Sequence, residues 1–147
     1  MNIKTIAEFL ESNQKPEILF WIGCAGSYDD RYKKVTKAFV RILNKLDIDF
    51  AILGDEESCT GDPARRAGNE YLFQMQAMNN IEILNKYKIE KIVTMCPHCF
   101  NTIKNEYPEL GGNYEVLHHT EFLNELIENG KLISEKTDIK MTYHDSC

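Results

Sequence analysis

The sequence predicts an α/β fold, a single three-layer domain with a mainly parallel sheet and cysteine-bearing loops at the C-terminal ends of its strands. Three observations lead there. Short continuous apolar runs, such as Glu17–Ile22 (EILFWI), read as strands buried on both faces, which is how parallel sheets are built. Segments with apolar residues at helical spacing lie between these runs, so strand and helix alternate. Gly, Pro and Asp punctuate the boundaries, and no low-complexity stretch interrupts the alternation.

The elements follow in order. Residues 1–15 form an N-terminal helical segment, with Ile6, Phe9 and Leu10 on one side of a short helix over Thr5–Leu10 that ends before Pro16. Glu17–Ile22 is the first strand, closed by Gly23. Arg31–Leu46 carries Val35, Phe39, Ile42, Leu43 and Leu46 at helical spacing, with Asp29 or Asp30 as its cap. Phe50–Leu53 is the second strand, and Asp62-Pro63 opens one long helix from Pro63 to Tyr87, with Asp62 as N-cap. Lys91–Met95 is the third strand, followed by a helix over His98–Glu106. Tyr114–Leu117 is the fourth strand, followed by a helix over Thr120–Asn129 that Gly130 stops. Ile139–Tyr143 is the expected fifth strand. The main domain is thus placed at 16–138, with 139–147 as a separate terminal segment.

Bulk properties narrow the function. With 147 residues and 43% hydrophobic content, the chain can bury a core without help from metal or disulfides. A formal net charge of -6 disfavours nucleic acid as a partner, since phosphate binding needs a basic face. Met1–Gln14 has no apolar signal-peptide region, and no stretch approaches the roughly 20 apolar residues that span a bilayer. The chain is therefore expected to be cytoplasmic, with no transmembrane segment and its thiols reduced. Five cysteines in that setting point to metal or redox chemistry.

Their positions sharpen this. Cys24 follows the first strand, Cys59 lies in the loop after the second, and Cys96 and Cys99 follow the third as Cys-x-x-Cys. Loops leaving the C-terminal ends of parallel strands share one edge, where open α/β sheets build their ligand sites. Cys24, Cys59, Cys96 and Cys99 are therefore expected to meet. A four-thiolate set suits an iron–sulfur cluster or zinc. Two other readings of the same residues remain: Cys96 and Cys99 alone as a dithiol redox pair, and a cysteine–histidine nucleophile using His98 or His118.

The stretches Gly23-Cys24, Ser58-Cys59-Thr60-Gly61-Asp62-Pro63-Ala64-Arg65-Arg66 and Cys96-Pro97-His98-Cys99-Phe100-Asn101 together resemble the cysteine-rich CCG domain. That domain occurs in heterodisulfide reductase and in the iron–sulfur subunits of glycolate oxidase and anaerobic glycerol-3-phosphate dehydrogenase. It also occurs in lactate-utilisation proteins. The resemblance implies an electron-transfer role, as an oxidoreductase component with flavin-containing dehydrogenases or other iron–sulfur subunits as partners. It also implies a second cysteine-rich domain, because Ile139–Cys147 repeats the pattern of Ile18–Cys24, an apolar run ending in cysteine. One position departs from the family: the second of two adjacent cysteines is here Thr60. That disfavours the noncubane cluster of heterodisulfide reductase and leaves a cubane [4Fe–4S] cluster, or Zn2+ as the alternative.

Thr60, His98, His118 and Arg65 are the candidates for the surroundings of the centre. His98 sits inside Cys-x-x-Cys, where it could bond a sulfur. His118 and His119 follow the fourth strand, and Arg65 and Arg66 start the helix near Cys59, where they could offset negative charge. Trp21, Phe20 and Phe50 read as core.

Overall fold

The computed structural model describes residues 3–133, 135 and 137–143. In chain order it contains β1 (Lys4–Thr5), α1 (Ile6–Glu11), β2 (Ile18–Trp21), α2 (Gly23–Tyr28), α3 (Asp30–Lys45), β3 (Phe50–Ile52), α4 (Asp62–Arg66), α5 (Glu70–Lys86), β4 (Lys91–Thr94), α6 (Pro97–Asn101), β5 (Glu115–His118) and α7 (His119–Glu128). Short 3-10 turns at Gly54–Glu56 and Tyr107–Leu110 and a π turn at Thr102–Glu106 complete the set.

The strands form one five-stranded sheet in the order β1-β3-β2-β4-β5, with every pairing parallel. Its period of two divides the apolar residues of β2 between two cores. Ile18 and Phe20 pack with Phe39, Val40 and Leu43 of α3 and with Phe122 and Leu126 of α7. Leu19 and Trp21 pack on the other face with Phe73, Ala77 and Leu84 of α5 and with Ile103 and Tyr107. Helices on both faces of a parallel sheet make the three-layer α/β domain that the alternation predicted. Phe20, Trp21 and Phe50 are core residues, as expected.

Local signals explain most boundaries. The Asp29 carboxylate accepts the Tyr32 backbone N–H at 2.8 Å and caps α3. The expected single helix over 63–87 is two helices. Gly68 adopts φ +81°, and Asn69 caps α5 by accepting the Leu72 N–H at 3.1 Å. Asp62 is not the cap of α4; Gly61 holds that position at φ +90°, leaving the Asp62 side chain free for other partners. The helix expected over 98–106 is α-helical only to Asn101 and then widens into the π turn.

The fifth strand is at the other end of the chain from where it was expected. Ile139–Tyr143 forms no strand, and Ile139, Met141 and Tyr143 are exposed. The edge position is taken by β1, which pairs Lys4 with Ala51 and Thr5 with Ile52. A two-residue polar strand has no apolar signature, so only the ladder that it completes reveals it. His144–Cys147, including the expected opening of a second domain, lies outside the described residues.

The topology creates a switch point. The chain leaves β2 for β3 on one side and later crosses to β4 on the other, so connections diverge between the adjacent strands β2 and β4. Crevices form outside the C-terminal ends of such strand pairs.

Candidate metal centre

The loops at that crevice carry the cysteines. Gly23 and Cys24 follow β2 directly, and Cys24 sits in the first turn of α2. Cys59 lies in the loop between β3 and α4, and Cys96 and Cys99 bracket the start of α6. All four line one cavity of about 410 Å³, together with Trp21 and Thr60. Cys24 is exposed, Cys59 and Cys96 are half-buried, and Cys99 is buried.

Close backbone approach brings the loops together. Gly23 adopts φ +77°, and a Cβ there would lie 3.3 Å from Cys99 Sγ and 3.7 Å from Cys96 Cβ. A side chain at Gly23 would therefore intrude on the cysteine cluster. Opposite, the Thr60 hydroxyl donates to Cys99 Sγ over 4.0 Å, a long contact suited to a sulfur acceptor. Glu57 joins the first two loops. Its carboxylate accepts the backbone N–H groups of Ile22 at 3.0 Å and Gly23 at 2.6 Å. Burial pushes the Glu57 carboxyl up to about 7, against the pull of those two hydrogen bonds. The same residue lines an adjoining cavity of about 470 Å³ that also touches Cys24 and Cys59.

The two α6 thiols are electrostatically distinct. The Cys96 thiol is lowered to about 6, chiefly by the hydrogen bond from the Cys99 thiol. Burial opposes that shift, and the backbone N–H groups of Cys99 and His98 reinforce it. Cys99 is pushed up by the same bond and by burial.

The chemistry of the donor set fits a multi-atom, sulfur-rich group. Four cysteines line the cavity, and thiolates are the ligands of iron–sulfur clusters and of zinc alike. Among the described residues, no three Cys, His, Asp or Glu side chains are gathered around one metal-ion position. Trp21, a lining residue, buries its indole N–H without a hydrogen-bond partner among the described residues.

The surrounding candidates divide. Thr60 is buried and lines the cavity. His98 also lines it; its Nδ1 faces Asp62 Oδ2 at 3.1 Å, and it acts on the Cys96 sulfur through its backbone N–H and, less strongly, through the charge of its ring. His118 stands off the cavity. Its Nε2–H donates to the Met95 carbonyl at 3.0 Å and its Nδ1 accepts from the Thr120 hydroxyl at 2.8 Å, which steadies the residue before Cys96. His119 packs edge-on against Phe39. Arg65 is also off the cavity, paired with Glu106 at 3.1 Å and Glu109 at 3.4 Å and lying 4.6 Å above the Phe73 ring. Its neighbour Arg66 is the one that lines the cavity, bonding Asp62 at 3.2 Å and pairing with Glu106. The sequence singled out none of Glu57, Asn80 and Tyr107 for the centre, because each acts through the fold and belongs to no local motif.

Comparison with known proteins places this geometry. The chain is 53% identical over 138 residues to the EtfAB:quinone oxidoreductase of Syntrophomonas wolfei, covering 93% of this chain and 19% of that protein. It is 47% identical over 146 residues to a probable iron–sulfur-binding oxidoreductase of Bacillus subtilis, covering 99% of this chain and 21% of that protein. It is 37% identical over 142 residues to a component of the dihydromethanophenazine:CoB–CoM heterodisulfide reductase of Methanosarcina barkeri, covering 90% of this chain and 34% of that protein. The chain thus spans only about a fifth to a third of the length of these relatives. No solved structure gives a significant match. Among the described residues, no helix is long and apolar enough to cross a membrane. Residues 18–104, which hold all four cavity cysteines, match the family described as the cysteine-rich domain, and the chain belongs to this CCG family.

Proposed function

We propose that this chain is an iron–sulfur electron-transfer module in which Cys24, Cys59, Cys96 and Cys99 hold a [4Fe–4S] cluster. The observation that carries the reading is the convergence of these cysteines, from three separate loops, on one cavity. The relatives named for iron–sulfur binding and heterodisulfide reduction support a cluster over the zinc alternative. Such a cluster supplies reversible one-electron transfer.

The chain's own residues prepare the place. The Cys96 thiol, already lowered to about 6, offers a thiolate ligand at neutral pH. Glu57 ties the Cys24 loop to the Cys59 loop through the Ile22 and Gly23 amides. Thr60 stands where the family carries its second adjacent cysteine, which limits the chain to four cavity thiols. Trp21, fully buried, lines the cavity, and Cys24 is exposed. A flavin-containing dehydrogenase or a second iron–sulfur subunit is the proposed electron partner. The module comprises residues 16–138, works beside a second cysteine-rich domain and resides in the cytoplasm, where its thiols stay reduced.

Anaerobic purification followed by iron, sulfide and zinc analysis tests this. Brown protein with a broad visible absorption, bleached by dithionite and lost in each of Cys24→Ser, Cys59→Ser, Cys96→Ser and Cys99→Ser, is expected. Colourless protein with stoichiometric zinc would refute it. The hydrogen-bonded Cys96–Cys99 pair favours one competing reading, a dithiol oxidoreductase. That reading requires metal-free protein whose thiol–disulfide activity survives Cys24→Ser and Cys59→Ser.

A further inference from the structure

Helix α5 buries one polar side chain completely. Asn80 is 0% exposed, on a helix face otherwise occupied by Phe73, Ala77 and Leu84. An amide in such a place costs free energy unless each of its hydrogen-bonding groups finds a partner. Each does. The Asn80 amide donates to the Cys59 carbonyl at 2.9 Å and to the Tyr107 hydroxyl at 3.0 Å, and its oxygen accepts from the Ser58 hydroxyl at 2.7 Å. Tyr107 is also 0% exposed, and its hydroxyl passes the chain on by donating to the Thr60 carbonyl at 3.1 Å. Three consecutive residues, Ser58, Cys59 and Thr60, are thus gripped from the core by two side chains from distant elements. Gly61 extends the seal, because its Cα packs so close to Phe73 that a Cβ would lie 2.8 Å from that ring.

We propose that Asn80 and Tyr107 are positioning residues for the cysteine centre. With the carbonyls of Cys59 and Thr60 tied into the core, the Cys59 side chain is left on the cavity wall. The Thr60 hydroxyl is held against Cys99, which is only 6% exposed. The loop that carries Cys59 has no strand or helix of its own at residues 57–61, so this buried pair supplies the rigidity that regular structure supplies to Cys96 and Cys99. Fully satisfied buried polar networks specify one geometry, which a ligand-bearing loop needs. The effect on a bound cluster rests on the function proposed above. The effect on the loop does not.

Tyr107→Phe removes one hydroxyl and keeps the ring that fills the core. The first measurement uses the metal-free chain and a neutral alkylating reagent, with labelling read cysteine by cysteine by mass spectrometry. Removing a hydroxyl that makes two buried hydrogen bonds shifts a local opening equilibrium by about tenfold or more, so Cys99 labels at least about tenfold faster while exposed Cys24 keeps its rate. An unchanged rate at Cys99, or an equal rise at Cys24, overturns the proposal. The second measurement uses the wild-type chain and needs no variant to fold: the Asn80 side-chain amide protons resist exchange with solvent, unlike those of exposed Asn129. Equal exchange at the two overturns it. In reconstituted protein, Tyr107→Phe keeps its iron but shifts the midpoint potential and the electron paramagnetic resonance line shape; an unshifted potential rules out positioning of the centre. A chain that binds no iron defeats the proposed function and leaves the first two measurements to decide this inference.

Discussion

Gly61 and Gly68 allow a paired substitution whose outcome separates backbone strain from steric crowding. Both glycines have positive φ, +90° and +81°. An L side chain at either position costs about 1–2 kcal/mol in backbone strain alone. Their surroundings differ. A Cβ at Gly68 meets nothing within 4 Å. At Gly61 it would lie 2.8 Å from Phe73 Cδ2, 3.1 Å from the Phe73 carbonyl oxygen and 3.3 Å from Phe73 Cα. Phe73 is 1% exposed, and two of the three contacts are backbone atoms of α5, so no side-chain rotation relieves them. Overpacking of this kind adds about 1–3 kcal/mol. Gly61→Ala is therefore expected to destabilise the metal-free chain by about 2–5 kcal/mol, and Gly68→Ala by about 1–2 kcal/mol. At about 2–4 °C per kcal/mol for a domain of this size, the melting temperatures fall by about 4–20 °C and 2–8 °C. Urea unfolding followed by circular dichroism gives both values under one condition. Equal losses in the two variants would refute the reasoning, because crowding at Phe73 is the only difference invoked. A relocated Phe73 would also loosen the loop that carries Cys59, so Gly61→Ala should impair cluster reconstitution where Gly68→Ala does not.

Glu57→Gln replaces one acceptor of the Ile22 and Gly23 amides with a donor, and should cost about 1–3 kcal/mol in chemical unfolding while Asp55→Asn, at an exposed position nearby, costs less. Tyr107 and Tyr114 should ionise above the usual tyrosine range when alkaline titration is followed by phenolate absorbance. Burial raises Tyr114 to about 12 and pushes Tyr107 up as well. Because these pKa values are raised in the folded chain, their contribution to stability is intact below about pH 10 and is lost as pH rises towards 12. Phenolate absorbance that Tyr107→Phe and Tyr114→Phe diminish already at the free tyrosine value would contradict the burial. Trp21 is the sole tryptophan, fully buried and on the cavity wall. Cluster reconstitution should quench its fluorescence; unquenched emission in iron-loaded protein would place the iron elsewhere.

The sequence by itself determined the class of the fold and the identity of the cavity thiols. The runs EILFWI, FAIL and KIVTM are continuous and apolar because β2, β3 and β4 are covered by helices on both faces. Each is followed by a cysteine-bearing loop, and parallel strands send those loops to one edge whatever the strand order. Signals of this kind are local, carried by hydrophobic period, capping and turn residues. They fail where a neighbour outweighs local preference. Gly68 and Asn69 split a helix that its apolar residues suggested was continuous. Lys4–Thr5 became a strand because β3 had a free edge, and the more strand-like Ile139–Tyr143 found no partner among the described residues. The support of the centre is the part that only the tertiary structure decided. Glu57, Asn80 and Tyr107 reach the cysteine loops across separations of 21 to 47 residues, and their partners are mostly backbone atoms. A backbone amide or carbonyl leaves no trace in residue identity, so which side chain holds it becomes visible only when the chain is folded.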